Sequence, residues 1–258
     1  MEIADVFCYR KYAALCIVCL CSSLFFLGLY HFDNKYSQNT IQAANGILAL
    51  SENDLKKSPV RFLVSGWEFY PDALLTPEEI QDSDHYMRYL SIGEMSNFSS
   101  PADSSPYGCG TYRMTFFLPE RKEAYAIELP EVFSSYTLYL DHDRILQLGD
   151  PEQRIPLIQN RMVTFYGGKP VTLTIAVSNY DHFYGGIVYP PAFGTMLAVN
   201  TSRGIRFAFC LFSCTVTFVC ALLSFLLQSP DETEKCLSVW TYLALLCVVC
   251  PLILHSTC

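Results

Sequence analysis

Cysteine is nearly missing from the polar middle of this chain: of twelve in the whole sequence, Cys109 alone falls between His31 and Gly204. A disulfide framework inside that segment is therefore excluded, and no Cys-x-x-Cys pair sits beside histidines at zinc spacing. Charge is scarce as well. Charged residues make up 16% of the chain, the formal net charge is −8, and no basic stripe appears, which argues against a nucleic-acid partner. Also absent are a Gly-x-Ser-x-Gly elbow, a His-Glu-x-x-His pair, a phosphate loop and a carboxylate pair placed for glycoside hydrolysis, so the sequence points to no enzymatic activity. No cofactor is expected, and no internal repeat or long low-complexity segment is present.

What the chain does have is apolar length. Hydrophobic residues reach 51%, and the excess falls in three runs, residues 12–30, 207–227 and 236–254. Each lacks a charge and each approaches the ~20 residues that a helix needs to cross a bilayer. In hydrocarbon only a helix or a closed barrel satisfies its own backbone, and runs that do not alternate are not barrel strands. Three transmembrane helices are expected, with the plasma membrane as the location and lipid as a partner. The first run, behind Arg10 and Lys11, reads as an uncleaved anchor, because it is longer than a signal-peptide apolar segment and no Ala-x-Ala-like site follows it. Residues 1–11 then form a cytoplasmic N-terminus. Lys and Arg flanking the runs do not by themselves settle the orientation. Most of the cysteines lie in these runs, where a thiol acts as a small hydrophobe.

Between the runs the dominant period is two. Tyr112, Met114, Phe116 and Leu118 share one face while Arg113 and Thr115 take the other. Val171, Leu173, Ile175 and Val177 alternate in the same way, and residues 125–129 and 136–140 are two more such strands. Pro119, Pro130, Pro156 and Pro170, with the Gly167-Gly168 pair, interrupt them at the spacing of an antiparallel sandwich rather than of βαβ units. The expected class is mainly β: an antiparallel jelly-roll or β-sandwich ectodomain over residues 60–198, with transmembrane α-helices around it and a linker over residues 31–59. Residues 39–55 read as a short helix or an amphipathic linker.

Several segments carry a resemblance. Ser65-Gly66-Trp67-Glu68-Phe69-Tyr70, Gly108-Cys109-Gly110-Thr111-Tyr112-Arg113, Ser134-Ser135-Tyr136-Thr137-Leu138-Tyr139-Leu140, and Val177-Ser178-Asn179-Tyr180 followed by Gly185-Gly186-Ile187 resemble, in that order, the galactose-binding-like ectodomain of bacterial seven-transmembrane receptors with diverse intracellular signalling modules. The resemblance covers residues 60–194, and the family places its membrane helices directly behind this domain. Many members have an Asn-Gly hairpin turn where this chain has Asp141-His142-Asp143. The further helices and the output module that the family implies do not follow before Cys258, so the sequence reads as a receptor fragment. The resemblance implies a small, carbohydrate-like ligand, signal transduction through the helices, and a homodimer or a signalling partner.

Candidate site residues come from loops and strand ends. His182, Tyr184 and Tyr189 surround the Gly185-Gly186 turn, where stacking and hydrogen-bonding groups gather beside a backbone read as flexible. Asn179 and Arg113 either orient a hydroxylated or carboxylated ligand or tie loops together. Trp67 either stacks on a sugar ring or packs in the core. The expected ligand-binding set is thus Trp67, Arg113, Asn179, His182 and Tyr184. Asp141, His142 and Asp143, and Asp82, Asp84 and His85, have the chemistry of metal ligands but read as solvated loops, and no metal site is expected. The competing functional reading is a membrane-tethered carbohydrate-binding or interaction module without signalling, or an accessory domain of a surface carbohydrate-processing system.

Overall fold

The computed structural model describes residues 20, 23–24, 27–28, 34–36, 40–82, 85–93, 98, 105–151, 153 and 155–226, with the side chains of 213 and 216–226 outside that description. The chain divides into two units, Met1–Asn39 and Thr40–Cys258. In the second, eleven strands form two sheets. The larger sheet runs β4 (Arg88–Leu90), β3 (Trp67–Pro71), β5 (Gly108–Phe117), β10 (Val171–Asn179), β7 (Ser135–Leu140), β8 (Asp143–Leu148). The smaller runs β2 (Val60–Phe62), β11 (Ala192–Thr195), β6 (Tyr125–Leu129), β9 (Arg161–Phe165). These pairings are all antiparallel.

Alternation decides which faces meet. Tyr112, Met114 and Phe116 of β5, with Leu173, Ile175 and Val177 of β10, face Tyr125 and Ile127 of β6, Phe165 of β9 and Phe193 of β11. The Phe116 ring lies 5.7 Å from Phe165 and 5.2 Å from Phe193, centroid to centroid, so the two sheets interlock through aromatic rings. The four strands expected from the sequence are all present. Residues 125–129 coincide with β6, and the other three expected stretches fall on β5, β7 and β10.

Residues 40–59, expected as part of a linker, instead belong to the sandwich. The short β3 covers β5 only along Gly110–Arg113, which leaves the rest of that edge open. There β1 (Ile47–Ala49) fills it, pairing in parallel with Thr115–Phe117. An unpaired backbone edge beside a buried face is costly, and this segment satisfies it. Helix α1 (Glu52–Lys57) follows, started by Ser51, which accepts from the Asp54 amide while the Asp54 carboxylate accepts from the Ser51 amide. Its C-terminal end is held by Arg61, whose buried guanidinium donates to the carbonyls of Asp54 and Ser58 at 3.0 Å each. Burial pushes the Arg61 pKa below its ordinary value, opposed by the charge of Asp54. A second helix, α2 (Pro77–Asp82), lies in the strap after β3, which the side chain of Thr111 ties to the outer face of the larger sheet by accepting from the Leu75 amide and donating to the Ala73 carbonyl.

The last described element is α3 (Met196–Leu226), 31 residues long. Thr195 caps it by accepting from the Ala198 amide. Its first turns lie on the outer face of the smaller sheet: Met196 donates its amide to the Ala124 carbonyl at 2.9 Å, Val199 is buried, Arg203 pairs with Glu128 at 3.2 Å, and the Arg206 guanidinium sits 5.4 Å from the centre of the Phe62 ring. Among the described residues no helix is long and apolar enough to cross a membrane. The expected spans at 12–30 and 236–254 lie largely or wholly outside the described residues, as do the side chains of most of the 207–227 run.

Two ends of the sandwich follow from this topology. At one, the Asp141-His142 turn, residues 118–124 and residues 166–170 join the strands. At the other, the connections 130–134, 149–160 and 180–191 come together, the last two of twelve residues each.

Candidate functional site

The residues expected around Gly185-Gly186 gather at the end with long connections. β10 ends at Asn179, opposite Gly108 of β5, and β7 starts at Ser135, opposite Ser178, so the segment after β10 meets the segment before β7. There the Phe133 ring stacks on His182 at 4.9 Å, meets Tyr184 at 5.7 Å and Tyr189 at 6.2 Å, and Phe183 packs edge-on against Tyr184 at 5.7 Å. The His182 and Tyr184 rings lie 6.5 Å apart, centroid to centroid, with their planes 24° from parallel. Tyr184 and Phe183 are exposed, while Phe133, His182 and Tyr189 are half-buried. The Nδ1 of His182 and the Oγ of Ser134 are buried and have no hydrogen-bond partner.

Asn179 is the tie beneath this platform rather than part of its surface. Only 3% exposed, it donates both amide protons, to the carbonyls of Pro106 and His182 at 2.7 Å each, and accepts from the His182 amide at 3.1 Å. Its side chain is fully used, and it fixes the backbone that presents His182 and Tyr184. The glycine pair is not there for flexibility. Both residues are buried, a Cβ on Gly185 would collide with the Pro106 carbonyl, and Gly186, at φ +78°, packs against the Tyr112 hydroxyl.

Trp67 and Arg113 stand apart from that platform. Trp67 is 0% exposed, donates its indole N–H to the Leu63 carbonyl at 3.0 Å and meets Tyr112 edge-on, so it presents no ring face to a ligand. Arg113 pairs in register with Thr174, five residues along β10 from Asn179, which is about 17 Å of strand. By alternation it faces the other side of the sheet, where its Nη1 lies 3.3 Å from the Glu68 carboxylate and the Tyr70 phenol joins the same group. Arg113 and Asn179 are each engaged in an internal tie.

Among the described residues no group of three or more His, Cys, Asp or Glu is placed to hold a metal ion. Asp141, at φ +53°, accepts from the Thr172 amide at 2.8 Å, and His142 Nδ1 lies 3.0 Å from Glu78 Oε1, both side chains exposed. Asp84 lies outside the described residues. Phe133 and Glu68 are the site neighbours that sequence reading missed. Phe133 becomes visible only once strand order places the β6–β7 and β10–β11 connections side by side, whereas Glu68 stands next to Trp67 on the opposite face of a short strand.

With the sandwich described, known proteins offer a limited comparison. No family model matches the chain, and no curated protein matches it. Solved structures similar to part of the chain include glycoside hydrolases. A Faecalibacterium prausnitzii β-glucuronidase is similar at 15% identity and a TM-score of 0.38, over 54% of this chain and 32% of that one. A glycosyl hydrolase family 2 member from Bacteroides cellulosilyticus is similar at 12% identity and 0.42, over 53% and 20%, and a Parabacteroides merdae β-glucuronidase at 13% and 0.41, over 53% and 22%. The chain spans between a fifth and a third of the length of these enzymes. At such values the likeness carries no argument about activity or ligand.

Proposed function

We propose that this chain is a membrane-tethered binding module of the receptor type, whose β-sandwich stands outside the cytoplasm and takes a small, hydroxyl-rich, carbohydrate-like ligand on the ring platform of Phe133, His182 and Tyr184. The observation that carries the reading is that platform: rings gathered at a loop cluster, Tyr184 exposed and Phe133 and His182 half-buried, fixed from below by Asn179. A pyranose offers an apolar C–H face to such rings and hydroxyls to polar atoms around them. The jelly-roll resemblance belongs to the same reading, with Arg113 and Trp67 now left out of the site.

Tethering rests on the sequence: residues 207–227, the run that α3 enters and whose side chains lie mostly outside the described residues, carry no charge, and a run of that length approaches what a helix needs to cross a bilayer. Leu197, Ile205, Phe207, Phe209, Leu211 and Phe212 are exposed along α3, which suits lipid better than water. The runs at 12–30 and 236–254 supply the other spans, in a plasma membrane. Because α3 is clamped to the sandwich through Glu128 and Phe62, a ligand that shifts those contacts biases the helix, either within a homodimer or against a signalling partner. The chain has no catalytic role in this reading.

The test uses the full chain in lipid nanodiscs. Titration with a panel of mono- and oligosaccharides should find a binder, and Tyr184→Ala should weaken it by about fivefold to tenfold, equivalent to about 1 kcal/mol, with an unchanged melting temperature. Binding untouched by Tyr184→Ala and by His182→Ala rules out this platform as the site. A reporter inserted between residues 99 and 105 that is active only in the cytoplasm overturns the topology.

A further inference from the structure

The direction of α3 says which part of the sandwich meets the bilayer. Its first residue bonds Ala124, its Arg203 reaches Glu128, and its Arg206 covers Phe62, which stands in the same cross-strand row as Ala192 and Glu128. The helix therefore runs alongside β6 in the same direction and leaves the smaller sheet past Leu129. That is the end where the 130–134, 149–160 and 180–191 connections gather, so the uncharged part of α3 departs beside the ring platform.

The surface of this end differs from the other. Phe183 is 73% exposed, and Ile155, Leu157 and Ile158 are exposed as well, four large apolar side chains on two connections that no described residue covers. The opposite end shows one exposed ring, Tyr166, among charged side chains, Glu120, Lys122, Glu123, Asp141, Asp143 and Lys169. An exposed apolar patch rimmed by tyrosines marks a contact surface, and Tyr180, Tyr184 and Tyr107 supply that rim. Amphipathic rings beside aliphatic tips are the composition found where protein meets a membrane–water interface.

We propose that the sandwich rests on the bilayer through this end, with Phe183, Ile155, Leu157 and Ile158 seated at the headgroup–acyl boundary next to the point where α3 enters. The proposal rests on the membrane reading of α3. Its partner is the lipid interface, and its consequence is that the ring platform opens at the membrane surface, so that hydroxyl-rich ligands reach it from the plane of the membrane.

The experiment places tryptophan at the two ends of the full chain in nanodiscs, Phe183→Trp at the exit of α3 and Tyr166→Trp, equally exposed, at the opposite end. Each is read as added fluorescence over the parent protein, with ordinary and with bromine-substituted lipid. Seated at the interface, the Phe183→Trp signal should fall at least twofold in brominated lipid while the Tyr166→Trp signal is unchanged. Equal quenching of both, or of neither, in a chain that stays with lipid through alkaline extraction overturns this proposal and leaves the tethering intact. A chain stripped from lipid by that extraction overturns the tethering and this proposal together.

Discussion

The two ends of the sandwich solve the same problem, joining strands without leaving backbone unpaired, by opposite means. At the end away from the exit of α3 the connections are short and charged. A two-residue turn closes β7 to β8, and the Asp141 carboxylate satisfies the Thr172 amide from a backbone conformation that aspartate tolerates. At the exit end two of the three connections run to twelve residues, and one buried amide, Asn179, takes the place of a turn by bonding the backbone of two separate segments. A long loop held by a single internal tie keeps its outer surface free for rings, whereas a tight turn has no side chains to spare.

Removing the tie should therefore cost far more than removing the turn residue. Asn179→Ala strips the Pro106 and His182 carbonyls and the His182 amide of their partner at a buried site, and should destabilise the protein by about 2–4 kcal/mol. Asp141→Ala loses one exposed bond and should cost about 1 kcal/mol. Denaturant unfolding of the full chain in detergent, followed by the fluorescence of buried Trp67, measures both. Equal losses would mean that the exit end is held by its rings and not by Asn179.

High pH probes the core that both ends share. Burial pushes the phenols of Tyr112 and Tyr136 up to about 12, from an ordinary value near 10. Both then keep their protons in the folded state through a range in which the unfolded chain gives them up. Their contribution is present in full below pH 10 and is lost as pH rises from 10 towards 12. Absorbance at 295 nm should show that the most strongly delayed phenols, those of Tyr112 and Tyr136, ionise together with unfolding. Tyr136→Phe, which removes a buried hydroxyl without a partner, should move the unfolding to higher pH at little or no loss of stability.

How much of this was legible in the sequence divides by range. Alternation located β5, β6, β7 and β10 because large apolar side chains take every second position in each, although burial in β6, β7 and β10 extends to both faces. β1, β2 and β4 have three residues each, too few for a period to register, and their places come from the edges they complete. Gly185-Gly186 was read as flexibility, yet the pair serves close packing, a distinction that depends on Pro106 and Tyr112 from distant parts of the chain. The gathering of His182 and Tyr184 was visible from their spacing alone. Arg113 was drawn towards them only by chemistry, and register puts it on the other face.

The smallest expected effect comes from that other face. Glu68 and Arg113 are directly opposed on β3 and β5, 3.3 Å apart, with side chains 17% and 26% exposed. Water reaches both, so the attraction is screened and offset by the ordering of two long side chains. Glu68→Gln keeps the shape and removes the charge, and should change stability by less than about 1 kcal/mol. The substitution still has a sharper readout in Tyr70. Its phenol pKa is raised first by burial and then by the negative charge of Glu68 beside it, so the variant should ionise Tyr70 at lower pH than the parent does. A titration of tyrosine absorbance, compared with Tyr70→Phe to assign the signal, measures the shift. If Glu68→Gln instead unfolds the sandwich as deeply as Asn179→Ala, the pair is a structural tie equal to the buried amide, and the contrast between a solvated face and a tied end fails.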